Sequence, residues 1–369
     1  MAAPVSPGPD ILQPFFHAVN YLCQPVIFYT GFIAAFFGAL AARKFLVRPA
    51  VAIGILVGSL IFIGISTLSP HFRHEAFKPD NIPLWIMIYL CGFCLWVAFW
   101  QAVNNDDRIR QGLRPDEAEA ADEKLHVWPY LLYIEAIVAA FVLALMFIWA
   151  MGLDAPLEQP AAPSKSPNPA KAPWYFLGLQ ELLVYYDPWI AGVALPGMIV
   201  TGLIALPYCD PNPKGVGYYT FEQRKFAITT YLFGFLILWI LLIFVGTLLR
   251  GQNWNFFGLY EPWDPHKIIS ANNVNVSEIF WQRLMGRALP PQWFIREIPG
   301  FVIMLGYFTI LPGLTAVIFK KFYQQLGFIR FSIVVMHLIV MLSIPIKMYL
   351  RWGFNLKYIV FIPEYFFNV

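Results

Sequence analysis

Apolar residues in this chain gather in long blocks, with no sustained alternation of apolar and polar positions. A bilayer core of about 30 Å needs roughly 20 apolar residues per helix, and about eight blocks reach that length. They lie near 25–43, 50–68, 83–103, 129–152, 188–208, 226–249, 299–319 and 328–349. Pro196, Pro312 and Pro345 interrupt the fifth, seventh and eighth. Neighbouring helices can satisfy the backbone groups that such prolines free. The pattern predicts an all-α, polytopic integral membrane protein.

The polar stretches between blocks set the topology. Residues 104–128 are rich in charges of both signs and read as a solvated connector. Residues 154–173 are rich in Pro, Ala and Ser and read as a semi-rigid extended linker. Basic residues follow the first block (Arg43, Lys44, Arg48), the fifth (Lys214, Arg224, Lys225) and the seventh (Lys320, Lys321, Arg330). Alternation puts these and the connector on one face, which the positive-inside rule makes cytoplasmic. The linker 154–173 and the loop 250–298 then fall on the outer face, although Arg283, Arg287 and Arg296 lie there too. Residues 1–23 contain no Lys or Arg, so no signal peptide is expected.

Composition narrows the function. Of 369 residues, 59% are hydrophobic and only 13% charged, against about a quarter in soluble domains. A soluble enzyme, a nucleic-acid binder and a disordered chain are thereby excluded. Cys23, Cys91, Cys94 and Cys209 make no disulfide framework, and no Cys-x-x-Cys-His haem attachment motif is present. Of the six histidines only His337 lies mid-span, and one imidazole cannot supply two axial ligands. His71 and His74 sit in an outer loop, and Cys91 and Cys94 form a Cys-x-x-Cys within an apolar block lacking nearby further ligands. The expectation is that this chain holds no haem and no metal.

The informative stretch is 172–194, Ala-Pro-Trp-Tyr-Phe-Leu-Gly-Leu-Gln-Glu-Leu-Leu-Val-Tyr-Tyr-Asp-Pro-Trp-Ile-Ala-Gly-Val-Ala. It predicts a short, aromatic-rich interfacial helix, ended by Asp187-Pro188 and followed directly by a span. Trp174, Tyr175, Phe176, Tyr185 and Tyr186, with Gln180 and Glu181 buried among them, would suit a flat lipid-soluble ring bearing two polar oxygens. An anchor helix without a ligand accounts for the same composition.

This run resembles the Pro-Glu-Trp-Tyr region of the C-terminal half of cytochrome b, called subunit IV where it is a separate chain of bc-type complexes. The similarity runs without gaps from Trp174-Tyr175-Phe176-Leu177 to Gly192-Val193. Its flanks agree in kind: Trp128-Pro129 opens the preceding span, and Leu206-Pro207-Tyr208 with Asp210, Pro211 and Pro213 closes the following one. It covers roughly residues 121–250, leaving 1–120 as an N-terminal membrane region of three spans and 251–369 as an outer loop with two C-terminal spans. The resemblance implies a multi-pass subunit of a quinol:cytochrome c oxidoreductase in a bacterial inner membrane, with the motif on the periplasmic face. It implies a haem-bearing cytochrome b partner, a Rieske iron–sulfur protein, and a quinol bound at the subunit interface against Pro173, Trp174, Tyr175, Phe176, Gln180 and Tyr185. The b haems and the iron–sulfur cluster would belong to partners. The surplus spans are expected to meet further partners such as c-type cytochromes, besides membrane lipid.

The motif departs from the family at Pro173, where the pattern has the Glu thought to take a proton from quinol. Glu181, two turns on at a position not normally acidic, is the expected substitute acceptor. Glu135, in the first turns of the fourth span, is an intramembrane acid and a candidate for proton uptake. Outside the resemblance, His337 is expected to pack in the core and Lys347 to snorkel outward. Two other functions fit the composition: a haem-free quinone-binding anchor of another respiratory oxidoreductase, and a transporter, the latter without supporting internal repeats.

Overall fold

The apolar blocks become helices in the computed structural model, which describes residues 8–369 except 80, 121–125, 155–159, 161, 165–171, 213–218, 251–253, 265, 268, 270, 271 and 366. Among the described residues, seven helices are long and apolar enough to cross a membrane, or eight if one bent pair forms a single span. That pair is α1 (Gln13–Leu22) and α2 (Pro25–Ala41), bent by 78°. Pro25 starts α2 at its first turn, where a missing N–H costs nothing. The other spans are α3 (Pro49–Ser66), α5 (Ile82–Arg110), α6 (Val127–Gly152), α8 (Ile190–Cys209), α9 (Phe221–Leu248), α10 (Ile298–Ile318) and α11 (Lys320–Phe354). The short helices α4 (Pro70–Ala76) and α7 (Leu177–Tyr185) are too short to cross. The chain is therefore an all-α, multi-pass membrane protein.

Two boundaries differ from expectation. Helix α5 continues through the first residues of the charged connector to Arg110, because Asn105 and Asp106 are buried against the start of α9. Asn105 Nδ2 donates to the Tyr219 carbonyl, and Asp106 accepts from the Glu222 amide at the head of α9. Helix α11 begins at Lys320 and is kinked at Gly327, whose φ of 71° suits a residue without a Cβ.

The helices do not share burial equally. The most apolar window of α9 is 39% buried and that of α11 28%, against 0% for α6 and α10, so α9 is the axis of the bundle. Its residues Ile237, Leu241, Leu242 and Val245 are packed with Tyr29 and Phe36 of α2, Tyr185 of α7, Ala191 of α8 and Met348 of α11. The three sequence regions thus interleave around one core. No residue of α6 from Leu132 to Gly152 is buried, so its apolar surface faces outward on every side.

At the end of the bundle that carries α7, three irregular pieces cover the helix ends. Strands β1 (Leu249–Arg250) and β2 (Asn255–Phe256) form a hairpin just past α9. Phe16, Phe72 and Tyr260 pack under the following loop. The segment after α11 folds back as a strap ending in the hairpin β3 (Phe361–Ile362) and β4 (Phe367–Asn368). Gly300 of α10 lies so close to the Ile359 carbonyl that a Cβ there would collide with it.

Candidate functional site

Helix α7 is held by one face. Leu177, Gly178, Glu181, Leu182 and Tyr185 are buried, a spacing that lines up on one side of a helix. The helix begins after the single turn Trp174–Phe176 and ends at the extended Tyr186, just before Asp187-Pro188. Its buried face meets α9 at glycines on both sides. A Cβ on Gly246 would stand 2.8 Å from the Leu177 carbonyl, and one on Gly178 would stand 3.6 Å from the Trp239 carbonyl. These glycines let the two backbones approach as small residues do in membrane helix pairs.

That approach buries a carboxyl group. Glu181 is wholly inaccessible. Its Oε1 accepts from the Tyr185 hydroxyl at 2.6 Å and its Oε2 from the Trp254 indole at 3.0 Å. Trp254 adopts φ 50° immediately before β2, a left-handed conformation rare for a residue of its size. Burial pushes the Glu181 carboxyl up to about 8, against the two hydrogen bonds, which favour its ionised form. Burial and the neighbouring carboxyl push the Tyr185 phenol higher still. Such an acid is poised to exchange a proton near neutral pH, the property required of a general base.

An aromatic shell from the first and last spans closes the other side. The Tyr185 ring lies edge-on to Trp352 of α11 at 6.2 Å, and Tyr29 of α2 lies edge-on to the same indole at 5.6 Å. The Tyr29 hydroxyl is buried and has no hydrogen-bond partner among the described residues. Tyr186 pairs its hydroxyl with Ser343 of α11 at 2.8 Å.

The expected pocket residues divide between two surfaces. Tyr175 and Phe176 are 49% and 51% exposed, with Trp174 half-buried and Pro173 exposed. These rings splay edge-on and tilted along the turn, with centroids 5.5 and 4.8 Å apart. Gln180 is half-buried and accepts from the Ala172 amide, tying the motif's entry to the helix. Glu181 and Tyr185 lie on the inner face instead. The division follows from geometry: the turn ahead of α7 aims its rings away from the face packed on α9. Glu135 lies exposed on α6 and makes no hydrogen bond or ion pair with the described residues.

Lys347 does not snorkel. It is 2% exposed, its ammonium donating to the Lys357 carbonyl at 2.8 Å beneath the strap. His337 is half-buried between α11 and α8, where a Cβ on Gly202 would stand 3.1 Å from its ring. Its Nδ1 pairs with the Ile333 carbonyl and its Nε2 with the Thr201 hydroxyl, so both nitrogens are engaged. Among the described residues no group of three or more His, Cys, Asp or Glu is placed to hold a metal ion.

Trp254, Tyr29 and Trp352 belong to this site without any motif that marks them in the sequence. An aromatic in a polar Gly-Gln-Asn-Trp-Asn stretch directly after a span is the available signal for Trp254. Comparison of the chain with protein-family models, with curated proteins and with solved structures returns no match.

Proposed function

We propose that the chain is a membrane subunit of a quinol:cytochrome c oxidoreductase of the Rieske/cytochrome b type, and that Glu181 takes a proton released when quinol is oxidised. The observation that carries this reading is the buried Glu181 carboxyl, held by Tyr185 and Trp254 one to two turns behind the Trp174-Tyr175-Phe176 run. The exposed Tyr175 and Phe176 rings offer an apolar edge for a quinol head, which a haem-bearing partner subunit would cover. Oxidation would release two electrons and two protons; partner-held redox centres would supply the electron acceptors, Glu181 would take one proton, and the other would leave by a group outside this chain's site. Tyr185 and the half-buried Trp254, which donate to the two oxygens of Glu181, are this chain's groups in contact with the acid. In this reading the motif helix lies on the periplasmic face of a bacterial inner membrane. Glu135, at the end of α6 away from the linker into α7, serves proton uptake on the other face.

The test is Glu181→Gln in the intact complex, following quinol oxidation against pH. A positioned base contributes about 10²–10⁴-fold to rate, so turnover falls by that order and the rise in rate toward pH 8 disappears. Unchanged turnover and an unchanged pH profile would remove Glu181 from the mechanism.

A further inference from the structure

Where α11 meets the strap, three cations gather, and one carboxylate lies near the last of them. Lys347 and Arg351 are one turn apart on α11, and Lys357 follows on the strap. Asp187 attracts Lys357, and its own side-chain hydrogen bond comes from Asn368. The Tyr186 and Tyr358 rings complete the surroundings, with the Lys347 ammonium 5.4 and 5.9 Å from their centroids and the Lys357 ammonium 5.0 Å from Tyr358.

Elsewhere the partly buried cations have counter-charges: Arg224 pairs with Asp210, Arg296 with Glu297 and Lys267 with Glu261. Unpaired cations such as Lys320 and Lys321 are exposed. Lys347, Arg351 and Lys357 combine burial or half-burial with no ion pair among the described residues. Like charges one turn apart repel, and desolvated charge without a partner is costly. Backbone carbonyls meet part of the need: Lys347 donates to Lys357, and Arg351 Nη1 to the Asn355 carbonyl. The C-terminal end of the α11 dipole adds a partial negative charge. The remaining guanidinium donors and the Lys357 ammonium have no hydrogen-bond acceptor among the described residues.

The location selects the missing anion. The cluster caps a membrane-crossing helix, with Phe354 exposed one turn beyond Arg351. An anion anchored by acyl chains would lay them along the apolar flank of α11 and bring its oxygens to this end. Arginine matches phosphate bidentately, and a surplus of positive charge favours an anionic headgroup over a zwitterionic one. We infer that Arg351 and Lys357, beside the buried Lys347, form a binding site for the phosphate of an anionic phospholipid. This site stands apart from the quinol reading and does not depend on it.

The experiment uses the full chain, delipidated in detergent, with phosphatidylglycerol, phosphatidylcholine or inorganic phosphate added. Lipid retention is read by native mass spectrometry and stability by thermal unfolding. Phosphatidylglycerol is expected to be retained and to raise the unfolding temperature. Arg351→Gln/Lys357→Gln is expected to weaken retention about tenfold or more, the worth of a charge-assisted contact, whereas Lys320→Gln/Lys321→Gln leaves it unchanged. Should the double variant not fold, Lys357→Gln alone gives the same comparison. Equal retention by wild type and variant, or an equal response to phosphatidylcholine, overturns the site. Equal stabilisation by inorganic phosphate overturns its assignment to lipid.

Discussion

Tyr185 donates a 2.6 Å hydrogen bond to Glu181 across one turn of α7, and neither side chain reaches solvent. Two opposing effects act on that carboxyl. Donors at both oxygens favour the carboxylate, and burial favours the acid. Burial is the larger and carries the group up to about 8 from its ordinary 4.5.

Infrared titration of the full chain checks this directly. A protonated-carboxyl band absent from Glu181→Gln should vanish with a midpoint near 8. Tyr185→Phe removes a donor that favours the ionised form, so the midpoint moves upward. It also costs about 1–3 kcal/mol for the lost buried hydrogen bond. A midpoint in the ordinary carboxylate range, or one that Tyr185→Phe lowers, contradicts the account.

The same raised value links stability to pH. The folded chain holds the Glu181 proton more tightly than the unfolded chain, whose carboxyl titrates near 4.5. Its contribution is therefore fully present below that value and is lost as pH rises through about 8. Unfolding curves between pH 5 and 9 should show wild type losing stability relative to Glu181→Gln. Parallel pH profiles for the two proteins would refute the linkage.

Close approach of α7 to α9 depends on Gly246, where an added Cβ would stand 2.8 Å from the Leu177 carbonyl. Gly246→Ala must separate the helices or shift Leu177, and such overpacking costs about 1–3 kcal/mol. Gly54→Ala on α3, where a Cβ meets nothing within 4 Å, should instead be neutral or gain up to about 1 kcal/mol from helix propensity. Thermal unfolding in one detergent compares the two. Equal effects would show that the glycine contact does not govern packing.

The spans were legible because an apolar run of about 20 residues has few alternatives in a chain this poor in charge. The short helix was legible for a related reason: aromatics flank a nine-residue helix at both ends, between a Pro-rich linker and Asp187-Pro188. What packs on that helix was not. Thr30 and Tyr349 share a 2.8 Å hydrogen bond across 319 positions, and such a pairing has no local signature. Nor does a mid-chain Lys announce whether it snorkels. Lys347 is covered because the strap returns over it, and the strap's own course depends on side chains at the head of α10. Among the aromatics, membership of a cluster was readable but direction was not: Tyr175 and Tyr185 differ in burial because one lies on the turn and the other on the packed face.

Strap closure rests on Arg296 and Glu297 at the head of α10. Glu297 is wholly buried; Arg296 Nε donates to it at 3.0 Å and the Phe361 amide at 2.9 Å. Arg296 also reaches the Phe361 carbonyl and the Glu364 carboxylate, and Glu364 is held below its usual range first by its local backbone hydrogen bond and then by Arg296. Arg296→Ala leaves a buried carboxyl without its cation, a change that costs about 3–5 kcal/mol where such pairs are broken. The strap should then loosen first, since its amide bond to Glu297 is what the pair organises. Hydrogen exchange should rise at Phe361 and its neighbours while the amides of α9 stay protected. Arg296→Ala/Glu297→Gln, which removes the uncompensated charge yet keeps an acceptor for the Phe361 amide, should recover part of the protection. If exchange at Phe361 is unchanged in Arg296→Ala, or the double variant is no better protected than the single, the strap is held by other contacts.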